Sequence, residues 1–192
     1  EKPLQGSRLV VDAGNGAGGF YAEKVLKPLG ADTTGSRYLE PDGSFPNHIP
    51  NPENKEALSL GIELANKINA NLVFGTDPDC DRLGVAIRDD DNNFVSLTGN
   101  QVGILLTDYV LNRLQQDGKL KQNGVVIKSF VSTDMVKFIC ADYGVKIMDV
   151  PVGFKFIGEK IASFEKDKSN TFLFGFEESC GYLIGDYARD KD

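Results

Sequence analysis

The sequence predicts an α/β chain built as two consecutive units with mixed, mostly parallel sheets covered by helices. Three observations predict it. Short apolar runs of strand length alternate with longer segments whose apolar residues recur at helical spacing. The strand runs are apolar on both faces, as in a sheet covered on both sides. The whole pattern restarts near residues 97–99, which places one unit over 1–98 and a second over 99–192.

The elements follow in order. "RLVVDA" reads as a buried strand and "FYAEKVLKPLG" as a helix closed near Gly30. "GSRYLEPDGSFPNHIPNPE" carries four prolines and reads as an irregular connection. "ENKEALSLGIELANKINA" places Ala57, Leu58, Ile62, Ala65 and Ile68 on one helical face. "NLVFG" and "LGVAIRD" are strands, and "DDDNN" is a hairpin turn into "FVSL". In the second unit, "GNQVGILLTDYVLNRLQQDG" is a helix with Thr98 or Asn100 as cap. "GVVIKSF" is a strand, and "STDMVKFICADYG" a helix capped by Ser132 and ended by Gly144. "VKIMDV", "GFKFIGEKIASFEKD" and "NTFLFGFE" complete the alternation as strand, helix and strand.

The composition of the 192 residues, 41% apolar and 26% charged, is that of a folded globular chain. A net charge of −7 argues against nucleic acid as a partner, because phosphate binding needs clustered Lys and Arg. No apolar run approaches the roughly 20 residues of a membrane span, and no signal-peptide pattern is visible. Cys80, Cys140 and Cys180 are odd in number and irregularly spaced, which predicts a reducing, cytoplasmic setting without disulfides.

Four stretches carry chemistry. In "FGTDPDCDRLGVAI" the carboxylates of Asp77, Asp79 and Asp81 alternate at the end of a strand. Extended backbone would point all three the same way, and hard oxygen donors suit Mg²⁺ or Ca²⁺. The alternatives are a solvated acidic turn and an EF-hand. The second fails because Arg82 and Arg88 stand where that loop needs Gly and Glu. "DAGNGAGG" satisfies G-x-G-x-x-G, with Asp32 near the position of a ribose-binding acid. It reads either as a dinucleotide loop or, preferably, as a tight strand–helix turn. "FGFEES" brings Glu177 and Ser179 to a strand end, two residues apart, where they could take vicinal sugar hydroxyls or simply face solvent. "VPVGFKF" sets Lys155 at a helix start, a setting for an anion or for a solvated lysine. His48, between prolines, reads as a loop residue.

Together, "VDAGNGAGG", "FPNHIPNPE", "GTDPDCDR", "VPVGFKFIGEKI" and "FGFEESCGYLIGDYARDKD" closely resemble the α-D-phosphohexomutase superfamily, on the side of bacterial phosphoglucomutases and phosphomannomutases. The resemblance covers essentially the whole chain. It implies domain II over 1–98 and a C-terminally truncated domain III over 99–192 of a four-domain enzyme. By the same resemblance Asp77, Asp79 and Asp81 hold Mg²⁺, Arg82 contacts the reacting phosphate, and Lys191 takes part in proton transfer. Glu177 and Ser179 read sugar hydroxyls, and the loop with Val152, Gly153 and Lys155 borders the sugar. Val152 departs from the threonine of many relatives, so only its backbone could make that polar contact. No "TASHNP"-like phosphoserine loop and no final phosphate-binding loop occur within these residues. Hence domains I and IV of the parent chain are implied partners, a phosphosugar the substrate, and glucose 1,6-bisphosphate the activator. "EES" favours glucose phosphate over mannose phosphate. The 192 residues alone are expected to be inactive. A non-catalytic binding remnant and a dinucleotide-binding domain are the competing classes.

Overall fold

The structure, a computed structural model, describes the backbone of residues 1–192 and the side chains of all but residues 55 and 56. The chain forms two compact units, Glu1–Thr98 and Gly99–Asp192. Both have mixed sheets with flanking helices, as the sequence predicts.

The first unit has strands β1 (Leu9–Asp12), β2 (Leu72–Thr76), β3 (Leu83–Arg88) and β4 (Phe94–Leu97), hydrogen-bonded in that order. Only β1 and β2 run parallel; β2–β3 and β3–β4 are antiparallel hairpins. The parallel weighting expected from strand–helix alternation therefore fails here, because short turns close both hairpins and leave no room for a crossover. Helix α1 (Lys55–Lys67) lays Leu58, Ala65 and Ile62 on Val10, Val73 and Ala86 of the sheet. The predicted helix after β1 is a short irregular one. A 3₁₀ turn at Ala17–Gly19 leads into a π-helical stretch, Tyr21–Leu26. Between it and α1, residues 40–54 form a proline-rich strap without regular structure.

The second unit orders its strands β6 (Lys146–Val150), β5 (Gly124–Ser129), β7 (Thr171–Glu177) and β8 (Gly181–Ile184). Here two of the three pairings are parallel, and only the β7–β8 hairpin is antiparallel. Strand β8 adds an element beyond those that the strand–helix alternation predicts. Helices α2 (Gly99–Gln116), α3 (Val136–Asp142) and α4 (Phe154–Asp167) connect the strands. Ile157, Ile161 and Phe164 of α4 pack with Val125, Ile127, Phe172 and Leu183. On β7 the register slips between Val125 and Val126, so Leu173 is an extra residue. A one-residue slip moves every later side chain to the other face. Phe172 thus joins the α4-side cluster, while Phe176 lies under Gly103 of α2. Among the described residues no helix is long and apolar enough to cross a membrane.

Two predicted caps are occupied otherwise. Asn100 accepts the Thr133 N–H at 2.9 Å. Helix α3 begins later than expected, and Thr133, not Ser132, accepts from the turn below it, at Met135 N.

Candidate metal centre and the strand-end loop of the second unit

The three aspartates occupy the hairpin loop between β2 and β3, whose last paired residues are Thr76 and Leu83. They converge by a tight turn, not by extended backbone. Cys80 adopts a left-handed conformation (φ 63°), and its N–H bonds back to the Asp77 carbonyl at 3.1 Å. One oxygen each from Asp77, Asp79 and Asp81 lies within 4.8 Å of the others. Opposed oxygens around Mg²⁺ stand about 4.2 Å apart, so small side-chain adjustments would bring this donor set to the ion. The donors fit a hard divalent cation. Asp77 is buried, Asp81 half-buried and Asp79 exposed, which leaves an open side for water or substrate.

Arg82 closes the loop. Its backbone N–H bonds to Asp77 Oδ1 at 3.1 Å and its Nε to Asp77 Oδ2 at 2.8 Å. Its Nη1 reaches Glu53 Oε2 at 3.1 Å. Burial opposes the guanidinium charge, but Asp77, Glu53 and Asp81 outweigh it and hold Arg82 above its ordinary value.

The glycine motif supports this loop from beneath. A Cβ on Gly16 would lie 2.9 Å from the Asp77 carbonyl oxygen, and the Ala17 N–H bonds to the Pro78 carbonyl at 2.8 Å. A dinucleotide would need free backbone N–H groups here. Those of Gly14, Asn15, Gly16 and Ala17 are engaged by Asp12, Tyr38, Ala13 and Pro78. Asp32 is held by Thr34 and Arg8, which bring its carboxyl down to about 2. The tight-turn reading of the glycines is therefore the correct one. His48 is tied to the buried Asp12, Nε2 to Oδ1 at 2.9 Å.

In the second unit Glu177 ends β7 and is only 4% exposed. The slip in β7 places it on the α4 side, where its Oε1 accepts the Gly153 N–H at 2.6 Å. Gly153 is the residue before α4, at φ 118°, a conformation that favours glycine. Burial first, and the neighbouring Glu178 carboxylate with it, raises the Glu177 carboxyl above its ordinary range; the Gly153 bond and Lys191 oppose this without cancelling it. Glu177 is paired across the hairpin with Gly181, and the Lys191 side chain lies against Gly181 where a Cβ would stand. Glu177, Gly153 and Lys191 thus share one place. Ser179 is half-buried in the β7–β8 turn. Val152 is 51% exposed, and the Lys155 ammonium lies 5.0 Å from the Phe156 ring.

A raised carboxyl in the folded state is stabilising when protonated, and that contribution is lost as pH rises beyond about 4.3 through the folded value. Glu177→Gln keeps an acceptor for Gly153 and removes the buried charge. Its melting temperature is expected to equal or exceed that of the unsubstituted chain at pH 7, and the difference to shrink toward pH 4. A melting temperature below that of the unsubstituted chain at pH 7 that recovers toward pH 4 would show that the charge itself holds the loop.

The motif reading missed a buried network beside this loop. Lys128 is fully buried, with Nζ bonded to the carbonyls of Ser129 (3.2 Å) and Ser132 (2.9 Å) and ion-paired to Asp149 (3.0 Å) and Asp134 (3.3 Å). Ser129 and Ser132 donate to Glu178 Oε2 at 2.7 and 2.9 Å, and the Glu178 N–H returns a bond to Ser132 Oγ. Burial would raise Glu178, but these hydroxyls and Lys128 prevail and lower it. The one signal was the lysine inside the apolar run "GVVIKSF".

The family models for the α/β/α domains II and III of phosphoglucomutase/phosphomannomutase match residues 1–91 and 98–192. Curated relatives include phosphoglucomutases of Staphylococcus saprophyticus and Staphylococcus aureus, 41% and 40% identical over 154 residues. Those alignments take in 80% of this chain but only 27% of the relatives, so the chain spans about a quarter of their length. Among solved structures, a phosphoglucomutase/phosphomannomutase family protein from Burkholderia thailandensis is similar at TM-score 0.75 and 24% identity, over 97% of this chain and 37% of that one. An N-acetylphosphoglucosamine mutase from Aspergillus fumigatus, solved with GlcNAc-6P and magnesium, is similar at TM-score 0.65 and 15% identity, over 96% and 38%. With both halves matched in order by one family's consecutive domains, the chain belongs to the phosphoglucomutase/phosphomannomutase family.

Proposed function

We propose that this chain is the metal- and sugar-binding middle of a phosphoglucomutase. The parent enzyme would interconvert glucose 1-phosphate and glucose 6-phosphate through a phosphoserine and a bisphosphorylated sugar, with glucose 1,6-bisphosphate as activator. Residues 1–98 would act as domain II and 99–192 as domain III, with the phosphoserine loop and the final phosphate-binding domain supplied by the parent's domains I and IV. The observation that carries the reading is the convergence of Asp77, Asp79 and Asp81 at the end of β2. Curated relatives at about 40% identity bear the name phosphoglucomutase, which favours glucose over mannose phosphate.

Phosphoryl transfer asks the protein mainly for positioning and charge stabilisation. A bound Mg²⁺ would supply charge neutralisation at the peripheral oxygens of the moving group. Asp77, Asp79 and Asp81 hold that ion, and Arg82, kept cationic by its carboxylate neighbours, is the direct contact to the phosphate. Glu177 and Ser179 bind adjacent hydroxyls of the sugar, with the Glu177 carboxylate fixed at one oxygen by Gly153. Lys191, beside Glu177, is the group assigned to proton movement, and Val152, Gly153 and Lys155 border the ring.

The test is direct. Mn²⁺ binding, followed by electron paramagnetic resonance, is expected for the 192-residue chain and to weaken at least about tenfold in Asp79→Asn, since one of three charged ligands is lost. Equal binding by both proteins would overturn the metal site. The same chain is expected to show no conversion of glucose 1-phosphate, because the binding energy and the phosphoryl carrier of the absent loops are lacking. Turnover that disappears in Asp79→Asn would show instead that these residues suffice.

A further inference from the structure

The proline-rich strap, residues 40–54, is the longest irregular segment of the first unit, and nothing in the reaction above uses it. It is nevertheless fastened along its length. Asn15 Nδ2 bonds to the Glu40 carbonyl at 2.9 Å, and Asn47 Nδ2 to Asn15 Oδ1 at 2.7 Å. His48 is tied to Asp12, and Pro50 lies against Gly14. Pro52 lies over Gly84, in the strand that leaves the aspartate loop. The strap therefore runs from the glycine turn to the start of β3, and its end delivers Glu53 to Arg82.

We propose that Glu53 is a positioning residue for the metal centre: it draws the Arg82 guanidinium partly off Asp77, so that Asp77 keeps acceptor capacity for the cation. The inference rests on the metal-site reading given above. An arginine beside a carboxylate tends toward the two-pronged fork, which gives the strongest pairing. Here the guanidinium divides between two carboxylates, with Nε on Asp77 at 2.8 Å and Nη1 on Glu53 at 3.1 Å. If Glu53 loses its charge, its hold on Nη1 is lost and Asp81 is the one remaining carboxylate named beside Arg82 that draws it from Asp77. The guanidinium is then freer to turn into a fork with Asp77, and arginine and metal compete for the same oxygens. The strap's fastening to Asp12 and Asn15 fixes where the Glu53 backbone stands, so that its side chain, 46% exposed, is within reach of Arg82.

Glu53 could also favour a cation simply by adding negative charge nearby, and a double-mutant cycle separates the two effects. Mn²⁺ affinity is measured by electron paramagnetic resonance at physiological salt for the unsubstituted chain, Glu53→Gln, Arg82→Gln and the double variant, with circular dichroism to verify folding. Glu53→Gln is expected to weaken Mn²⁺ about three- to tenfold in the unsubstituted background and to have no effect once Arg82 is glutamine. Equal weakening in both backgrounds would show a through-space charge effect and overturn the proposal, as would no weakening in either. Failure of the unsubstituted chain to bind Mn²⁺ at all would overturn the metal site itself, a result distinguishable from the other two.

Discussion

Gly19→Ala is expected to lower the melting temperature of the first unit by more than about 10 °C, which corresponds to about 2 kcal/mol or more for a unit of this size. A Cβ at Gly19 would fall inside contact distance of the Leu39 carbonyl oxygen, 2.6 Å from its carbon and 2.7 Å from its Cα. The obstacle is backbone, so no side-chain rotation relieves it. Nor can residue 39 withdraw easily. The Asn15 N–H bonds to the Tyr38 carbonyl at 2.8 Å, and Asn15 Nδ2 to the Glu40 carbonyl at 2.9 Å, so Leu39 is pinned from both sides. Gly43→Ala is the control: no atom lies within 4 Å of the added methyl group, and the change should be neutral or slightly stabilising. Calorimetric melts of both variants decide the matter. Similar shifts in the two would mean that the glycine turn tolerates displacement. Because that turn also abuts Asp77 and Pro78, Gly19→Ala should weaken Mn²⁺ binding even below its melting temperature.

Lys128→Met is expected to cost the second unit about 2–3 kcal/mol, or roughly 10–20 °C in melting temperature. Methionine keeps the volume of the stem, so the loss isolates the ammonium. Two ion-pair partners, Asp134 and Asp149, are 66% and 42% exposed and can rehydrate when the lysine is gone. The carbonyls of Ser129 and Ser132 are in buried residues and would lose their ammonium donor. The carbonyls carry the expected cost, and rehydration of the two carboxylates keeps it below that of breaking a fully buried ion pair. Lys137→Ala gives the comparison. Lys137 also pairs with Asp134, at 2.8 Å, but is itself 43% exposed, and its loss should cost under about 0.5 kcal/mol. Comparable melts for the two variants would show that burial of Lys128 contributes nothing beyond a surface pair.

Most elements of both units were legible because their signals are local. Apolar runs such as "NLVFG" and helical spacing such as that of Leu58, Ile62 and Ala65 are properties of short windows, and burial then follows them. The direction of strand pairing was less legible. The first sheet is mostly antiparallel because both of its hairpins are closed by short loops, and strand–helix alternation alone overstates parallel pairing. Ser132 illustrates a second kind of miss. A serine before a helical run is a good cap, but here its hydroxyl donates to Glu178, a partner 46 residues away. Long-range competition of this kind has no signature within a window.

By itself, the sequence determined the two α/β units, the family, and the loops in which the candidate site residues lie. These depend on residue order and type, and both survive any detail of packing. The tertiary structure alone decided how those residues are set. It closed the aspartates by a left-handed turn at Cys80 and put Glu53 on Arg82 by way of the strap. It also buried Lys128, and one extra residue in β7 turned Glu177 toward Gly153. Apart from the local turn at Cys80, these depend on contacts between segments far apart in the chain, where a shift of one residue or a single competing hydrogen bond changes which group meets which.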